Sequence, residues 1–237
     1  MTTRRFALAL AASLLLPALP ARAEPLPPPR IVVTGEGEMA VRPDLAIVSL
    51  GVMREAKSAR EALDANNAAM ARVIAAMKET GIAERDLQTA GLHIMPRYTY
   101  TNKPDGTQQA ELVGYEVTNT LSVRIRDLAK TGEILDQAVT LGINLGGGIS
   151  FTNDNPAAAL LEARRRAVAD AMAKAHTLGE AAGVALGRII EITDTNVVPP
   201  PIPLAAKAMV REAADSVPVE VGENSYRVQV NVTFELK

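Results

Sequence analysis

Asn155-Pro156-Ala157-Ala158-Ala159-Leu160-Leu161-Glu162-Ala163-Arg164-Arg165-Arg166-Ala167-Val168-Ala169-Asp170-Ala171-Met172-Ala173-Lys174-Ala175-His176-Thr177-Leu178-Gly179-Glu180-Ala181-Ala182-Gly183 is the longest uninterrupted helical pattern in the chain. Asn155 suits an N-cap, whose side chain accepts a free N–H, and Pro156 suits the first helical position, where its missing N–H would be unpaired anyway. Leu160, Ala163, Ala167, Ala171, Ala175, Leu178 and Ala182 recur at three- and four-residue steps and share one stripe. Small side chains let a helix axis come close to whatever it covers. The stripe therefore predicts a helix lying flush on a sheet, with Arg165, Arg166, Asp170, Lys174 and Glu180 mostly toward water.

Two further helices are predicted on the N-terminal side. Ser58-Ala59-Arg60-Glu61 is a capping box opening a helix that runs to Gly81, with Ala59, Leu63, Asn66, Met70, Val73 and Met77 on its stripe. Asn66 among apolar neighbours reads as an amide bonded to strand backbone at the rim of the core, not as a ligand. Asp127 is expected to cap a short helix through Leu128, Leu135, Ala138 and Val139 to Gly142. All three helices end alike, in Gly81-Ile82, Gly142-Ile143 and Gly183-Val184, where glycine takes a left-handed cap and the next apolar residue packs back. Each helix is thus handed directly to a strand.

Period-two patterning supplies the strands. Ile31 to Val41 alternates Val33, Gly35, Gly37, Met39 and Val41 with Thr34, Glu36, Glu38, Ala40 and Arg42, a strand with a glycine-lightened face. Leu45 to Val52 is apolar on both faces, which suggests a central position. Leu87 to Tyr100 and the clean alternation from Tyr115 to Ile125 flank the turn residues Asn102-Lys103-Pro104-Asp105-Gly106, so they form a long hairpin. Leu145 to Phe151 is a strand with a glycine bend, Ala185 to Thr193 another, and Tyr226 to Leu236 closes the chain. The fold class is α+β: a mixed, largely antiparallel sheet with helices packed against it, built from strand–helix–strand units.

The chain ends bound location and partners. Arg4 and Arg5 precede the apolar run Phe6 to Leu16, Pro17, Pro20 and Ala21-Arg22-Ala23, the pattern of a signal peptide over residues 1–23 with an A-x-A cleavage site. The run is too short to cross a hydrocarbon core of about 30 Å. Paired arginines raise twin-arginine export, but Phe6 stands where that motif has an intervening residue, and Sec or twin-arginine export stays open. A proline-rich spacer, 24–30, leads into a single domain, 31–237, that carries a proline-rich excursion at 197–218. Without the leader, the chain keeps 214 residues and loses three of 25 basic side chains and none of 27 acidic ones, so its net charge moves from −2 to −5. That mild acidity argues against nucleic acid as a partner. Cysteine is absent. Stability must come from packing, and thiol chemistry is excluded.

Candidate chemistry is sparse. Gly35-Glu36-Gly37-Glu38-Met39-Ala40 fits a dinucleotide fingerprint, but no helix opens there to aim N–H groups at a pyrophosphate. His93 and His176 are isolated from each other and from suitable partners, the first a solvated or rim strand residue, the second a half-exposed helix residue. Glu36 and Glu38 share a strand face and could in principle act as acid and base, although such strand carboxylates are usually solvated. No catalytic, cofactor-binding or metal-ligating residues are assigned.

Val33-Thr34-Gly35-Glu36-Gly37, Pro43-Asp44, Gly81-Ile82 with Asp86-Leu87-Gln88-Thr89, Pro96-Arg97-Tyr98, Gly114-Tyr115 and Arg164-x-x-Ala167-x-x-x-Ala171-x-x-Lys174-Ala175 together resemble the SIMPL-domain family of YggE-like periplasmic proteins. The resemblance covers about Ile31 to Asp194. It implies an exported α/β protein with no established enzymatic activity, no accepted catalytic residues, an association with envelope stress, and a tendency toward ring or channel-like oligomers. Two function classes follow. The first is a non-enzymatic periplasmic protein acting through self-assembly or envelope contacts, with Tyr98, Tyr100 and the segment 197–217 as expected homo-oligomer contacts. The second is a small-ligand binder or a hydrolytic enzyme, which a closed, polar pocket with a titratable cluster would favour.

Overall fold

The computed structural model describes residues 28–194, the backbone of Ile202–Leu204 and residues 217–237. The leader and most of the proline-rich excursion lie outside the described residues. In chain order the elements are β1 (Arg30–Val41), β2 (Leu45–Ala56), α1 (Ala59–Glu79), β3 (Leu87–Asn102), β4 (Gln108–Ile125), α2 (Thr131–Thr140), β5 (Leu145–Thr152), α3 (Ala157–Ala182), β6 (Leu186–Asp194), β7 (Ile202–Leu204) and β8 (Glu223–Leu236).

The strands form two four-stranded sheets where one was expected, and every pairing is antiparallel. One sheet has the order β3-β4-β2-β5. Strands β2 and β3 are joined through α1 but separated in space by β4, and β4 and β5 are joined through α2 but separated by β2. This is the split strand–helix–strand arrangement of the ferredoxin-like topology. The expected units are present, yet those around α1 and α2 each have a third strand between their two and the one around α3 has its strands in different sheets, so no parallel pair forms. The other sheet places β8 between β1 and β6, with β7 against the start of β8. Pro203 sits in that short flanking strand, at an edge position that a residue without an N–H can take.

Helices α1 and α2 cover one face of the first sheet. Met70, Val73 and Met77 of α1 and Ile134 and Ala138 of α2 pack on Val48, Leu50, Val52, Leu121, Val123 and Ile125. The capping box forms in full, since Ser58 accepts from the Glu61 N–H and Glu61 accepts from the Ser58 N–H. Asn66 donates to the carbonyls of Val52 at 2.8 Å and Val117 at 3.0 Å, the expected bond to strand backbone, but it is fully buried within the layer and not at the rim of the core. Asp127 does not cap α2: a 3₁₀ turn at Leu128–Lys130 intervenes and its side chain makes no cap bond. Val139, placed on the stripe by its spacing, is 64% exposed, because this ten-residue helix buries Thr131, Gly132, Ile134 and Ala138 instead.

Helix α3 covers the second sheet. Asn155 accepts from the Ala157 N–H at 3.1 Å, with the helix beginning one residue later than predicted. The buried residues are Ala159, Ala163, Ala167, Ala171, Ala175 and Gly179. Leu178, predicted on the stripe, is half exposed and Ala182 is exposed, because Gly179 takes the inner position in the last turn. The flush contact has a definite register. A Cβ on Gly35 would stand 2.0 Å from the Ala167 carbonyl oxygen, and one on Gly37 would stand 2.0 Å from that of Ala163. Two strand residues therefore match four helix residues, about 6.8 Å against about 6.0 Å.

All three helix-ending glycines have positive φ, and the following residue donates back five positions: Ile82 to Met77, Ile143 to Ala138 and Val184 to Gly179. The two sheets meet at a hydrogen-bonded joint. Asn153 donates to the Arg42 carbonyl at 2.8 Å and accepts from Tyr226 Oη at 2.9 Å, while Asn224 donates to the Phe151 carbonyl at 3.1 Å.

Candidate functional site

The residues singled out for chemistry do not converge. His93 is exposed on β3 of the first sheet and His176 is exposed on α3 over the second. Glu36 and Glu38 do not act as a pair. The Glu38 carboxylate accepts from Ser225 Oγ and from Arg227 at 3.1 Å, and these bonds, Ser225 first, hold its pKa below the usual carboxylate range. Glu36 is exposed and enters the structure through its backbone, whose N–H donates to Asp170 at 2.8 Å. Among the described residues no group of three or more His, Cys, Asp or Glu could hold a metal ion. No described helix is long and apolar enough to cross a membrane.

One charged cluster does assemble, from segments far apart in sequence. Arg126 of the chain just after β4 donates through Nε and Nη2 to the two oxygens of buried Asp86, both at 3.2 Å, and through Nη1 to Asp154 at 2.7 Å. Arg124 reaches the same Asp154, whose N–H donates to Asp44 at 2.8 Å. The Arg126 bond, above all, pulls Asp154 below its ordinary pKa. Two guanidinium groups thus saturate the carboxylates of Asp86 and Asp154, while the exposed Asp44 carboxylate holds the Asp154 backbone. The cluster ties the turn after β1 to the chain before β3, the end of β4 and the start of α3.

Other charged residues also serve as joints. Arg164 bonds Asp194 at 2.8 Å, fastening α3 to the end of β6. Arg97 pairs with Glu55, and Gly114 passes so close to Ala56 that a Cβ would stand 2.6 Å from its carbonyl oxygen, which is where the β3–β4 hairpin leaves the sheet. An open recess of about 480 Å³ lies between β1 and α3, lined by Val32, Val33, Thr34, Ala173, Lys174, Thr177 and Leu178. Its charged group, Lys174, is already paired with Asp170 at 2.7 Å.

The segments Pro43-Asp44, Asp86-Leu87 and Arg164 through Lys174 therefore meet as joints of one architecture, and a family comparison agrees across their whole span. The SIMPL family, described as a protein of unknown function (DUF541), matches residues 31–234. This chain belongs to the SIMPL family. It is 52% identical over 214 residues to the 26 kDa periplasmic immunogenic protein of Brucella melitensis biotype 1, covering 89% of this chain and 86% of the relative. The protein of the same name from Brucella abortus strain S19 matches to the same extent. The uncharacterized protein YggE of Escherichia coli strain K12 is 29% identical over 233 residues, 97% of this chain and 93% of that one. Family membership brings no assigned site with it.

Sequence patterning found the hairpin but not how far it stands free. Strand β2 accompanies β4 only as far as the Ala56–Tyr115 pair, whereas β3 and β4 continue together to Asn102 and Gln108. Beyond β2 the ribbon is two strands wide. Tyr98, Tyr100, Leu112 and Val113 are exposed along it, Tyr100 at 64%. The turn is well made: Asp105 accepts from the Thr107 N–H at 2.9 Å and hydroxyl at 2.6 Å, and Gly106 has positive φ.

Proposed function

We propose that this SIMPL protein is exported through its N-terminal leader and works in the periplasm as a non-enzymatic, self-assembling envelope protein, with a role in envelope stress tolerance. The observation that carries the reading is the free β3–β4 ribbon. A two-stranded hairpin is marginal on its own in water, and this one displays two of the chain's four tyrosines with Leu112 and Val113. Tyrosine is favoured at interfaces because its ring buries a large apolar area while its hydroxyl keeps a polar partner. A second copy packed on the ribbon would supply the cover its own sheet does not. The periplasmic names of the Brucella relatives support the location. The recess at β1 and α3 is open and mostly apolar, which gives the ligand-binding and hydrolytic alternatives little support.

Light scattering on the chain lacking residues 1–23 tests this. A mass of several chains is expected at micromolar concentration, and Tyr98→Ser with Tyr100→Ser is expected to shift the population toward one chain. A single-chain mass throughout the concentration range overturns the assembly reading. An oligomer indifferent to the double substitution overturns the role of the ribbon.

A further inference from the structure

Strand β1 pairs with β8 along its whole length, and no described strand pairs with its other edge. A bare edge of twelve residues without proline is a template for another copy of itself. Three of the outward-pointing backbone groups at its centre are nevertheless occupied, by side chains from α3. Lys174 Nζ donates to the Thr34 carbonyl at 3.1 Å, the Glu36 N–H donates to Asp170 Oδ2 at 2.8 Å, and Arg166 Nη1 donates to the Glu38 carbonyl at 2.8 Å. These side chains are themselves braced, Lys174 by Asp170 at 2.7 Å and Arg166 by Glu162 at 3.1 Å.

The geometry explains why one helix can reach three alternate strand positions. Residues 166, 170 and 174 recur every four along α3, and residues 38, 36 and 34 recur every two along β1. The two repeats are nearly equal in length, about 6.0 Å and about 6.8 Å. Gly35 and Gly37 bring the helix so near that its flank overlaps the strand edge, putting short Asp170 within reach of a backbone N–H.

We propose that Arg166, Asp170 and Lys174 form an edge guard that keeps a second copy of the chain from adding its own β1 to this one. The pairing prevented is an antiparallel β1–β1 contact about a two-fold axis, the arrangement in which one strand edge meets itself. Glu36 assists, because a contact centred on it would set two carboxylates opposite each other. The guard operates whatever surface the protein uses for native assembly. It removes one edge from the choices.

The absence of cysteine makes a clean test available. Glu36→Cys is introduced into the chain lacking residues 1–23, with the guard intact or replaced by Arg166→Ala, Asp170→Ala and Lys174→Ala together. Under mild oxidation the disulfide-linked dimer is expected to form about tenfold faster without the guard. Equal rates in two folded proteins overturn the proposal. Amide hydrogen exchange at Glu36, in dilute solution, decides the matter even if the triple variant does not fold. Asp170→Ala is expected to speed that exchange about tenfold, the loss of one charge-assisted hydrogen bond, while Asp170→Asn keeps an acceptor and most of the protection. Equal exchange in the Ala and Asn variants also overturns it.

Discussion

Every buried residue of helix α3 is alanine or glycine, whereas α1 and α2 rest on their sheet through methionine, valine and isoleucine as well as alanine. Both layers exclude water, but they reach close packing by opposite routes. In the first the backbones approach until no further atom fits. In the second large side chains fill a wider gap. The two layers should therefore fail in opposite ways, the α3 layer when atoms are added and the α1 layer when atoms are removed.

The largest effect is expected from Gly37→Val. The new Cβ would meet backbone atoms of Ala163 and Ala167 at 2.0 and 2.4 Å, which cannot swing aside as a side-chain tip could. Loss of the folded state, or destabilisation beyond about 3 kcal/mol in urea unfolding, is the expected outcome. A loss under about 1 kcal/mol would show that the two layers do not differ as described. The complementary change is Leu121→Ala, which opens a cavity beneath α1 and should cost about 3 kcal/mol by the same measurement.

Gly183→Val probes the end of α3 and not its face. Nothing lies within 4 Å of a Cβ there, so the cost is confined to holding a β-branched residue at φ +68°, about 1–2 kcal/mol. The melting temperature should fall measurably below that of the wild type. An unchanged value would separate the helix end from the strain of its cap.

The smallest effect concerns the joint between the layers. Asp154 is held below its ordinary pKa chiefly by Arg126, so its folded pKa lies beneath its unfolded one. The stability it contributes is complete above the unfolded value and is lost as pH falls through the folded value. Stability should decline below the usual carboxylate range, and Asp154→Asn should decline less steeply over that acid interval when unfolding is followed at a series of pH values. Parallel pH profiles for the two proteins would remove Asp154 from the joint.

Much of this layout was legible in the residues because it depends on local chemistry. The box at Ser58 and Glu61, the glycines at 81, 142 and 183, the Asn102–Gly106 turn and the alanine stripe are each written within a few positions. Pairing across long separations is not. Strands β1 and β2 adjoin in sequence with only Arg42-Pro43-Asp44 between them, and that spacing suggests one sheet. The structure instead sends β1 to β8, and the Asp44 N–H to the Thr152 carbonyl at 3.1 Å. The motifs likewise read as a string of isolated signatures until the fold brings Asp44, Asp86, Arg124, Arg126 and Asp154 together. Leu178 and Val139 misled for a related reason: steps of three and four are both helical, and periodicity alone does not say which of two adjacent residues, Leu178 or Gly179, Val139 or Ala138, faces the opposing layer.

The pairing of β1 with β8 also sets an order in time. Ile31 lies opposite Phe234, so during synthesis β1 has to wait until β8 has been made. The segment from Leu45 to Thr152, by contrast, contains every strand of the other sheet and both its helices. Local contacts close sooner than distant ones. That contiguous half can be complete while the opening strand is still alone. Its partner is the final one made, so a chain cut short anywhere before Glu223 has β1 with no strand to join.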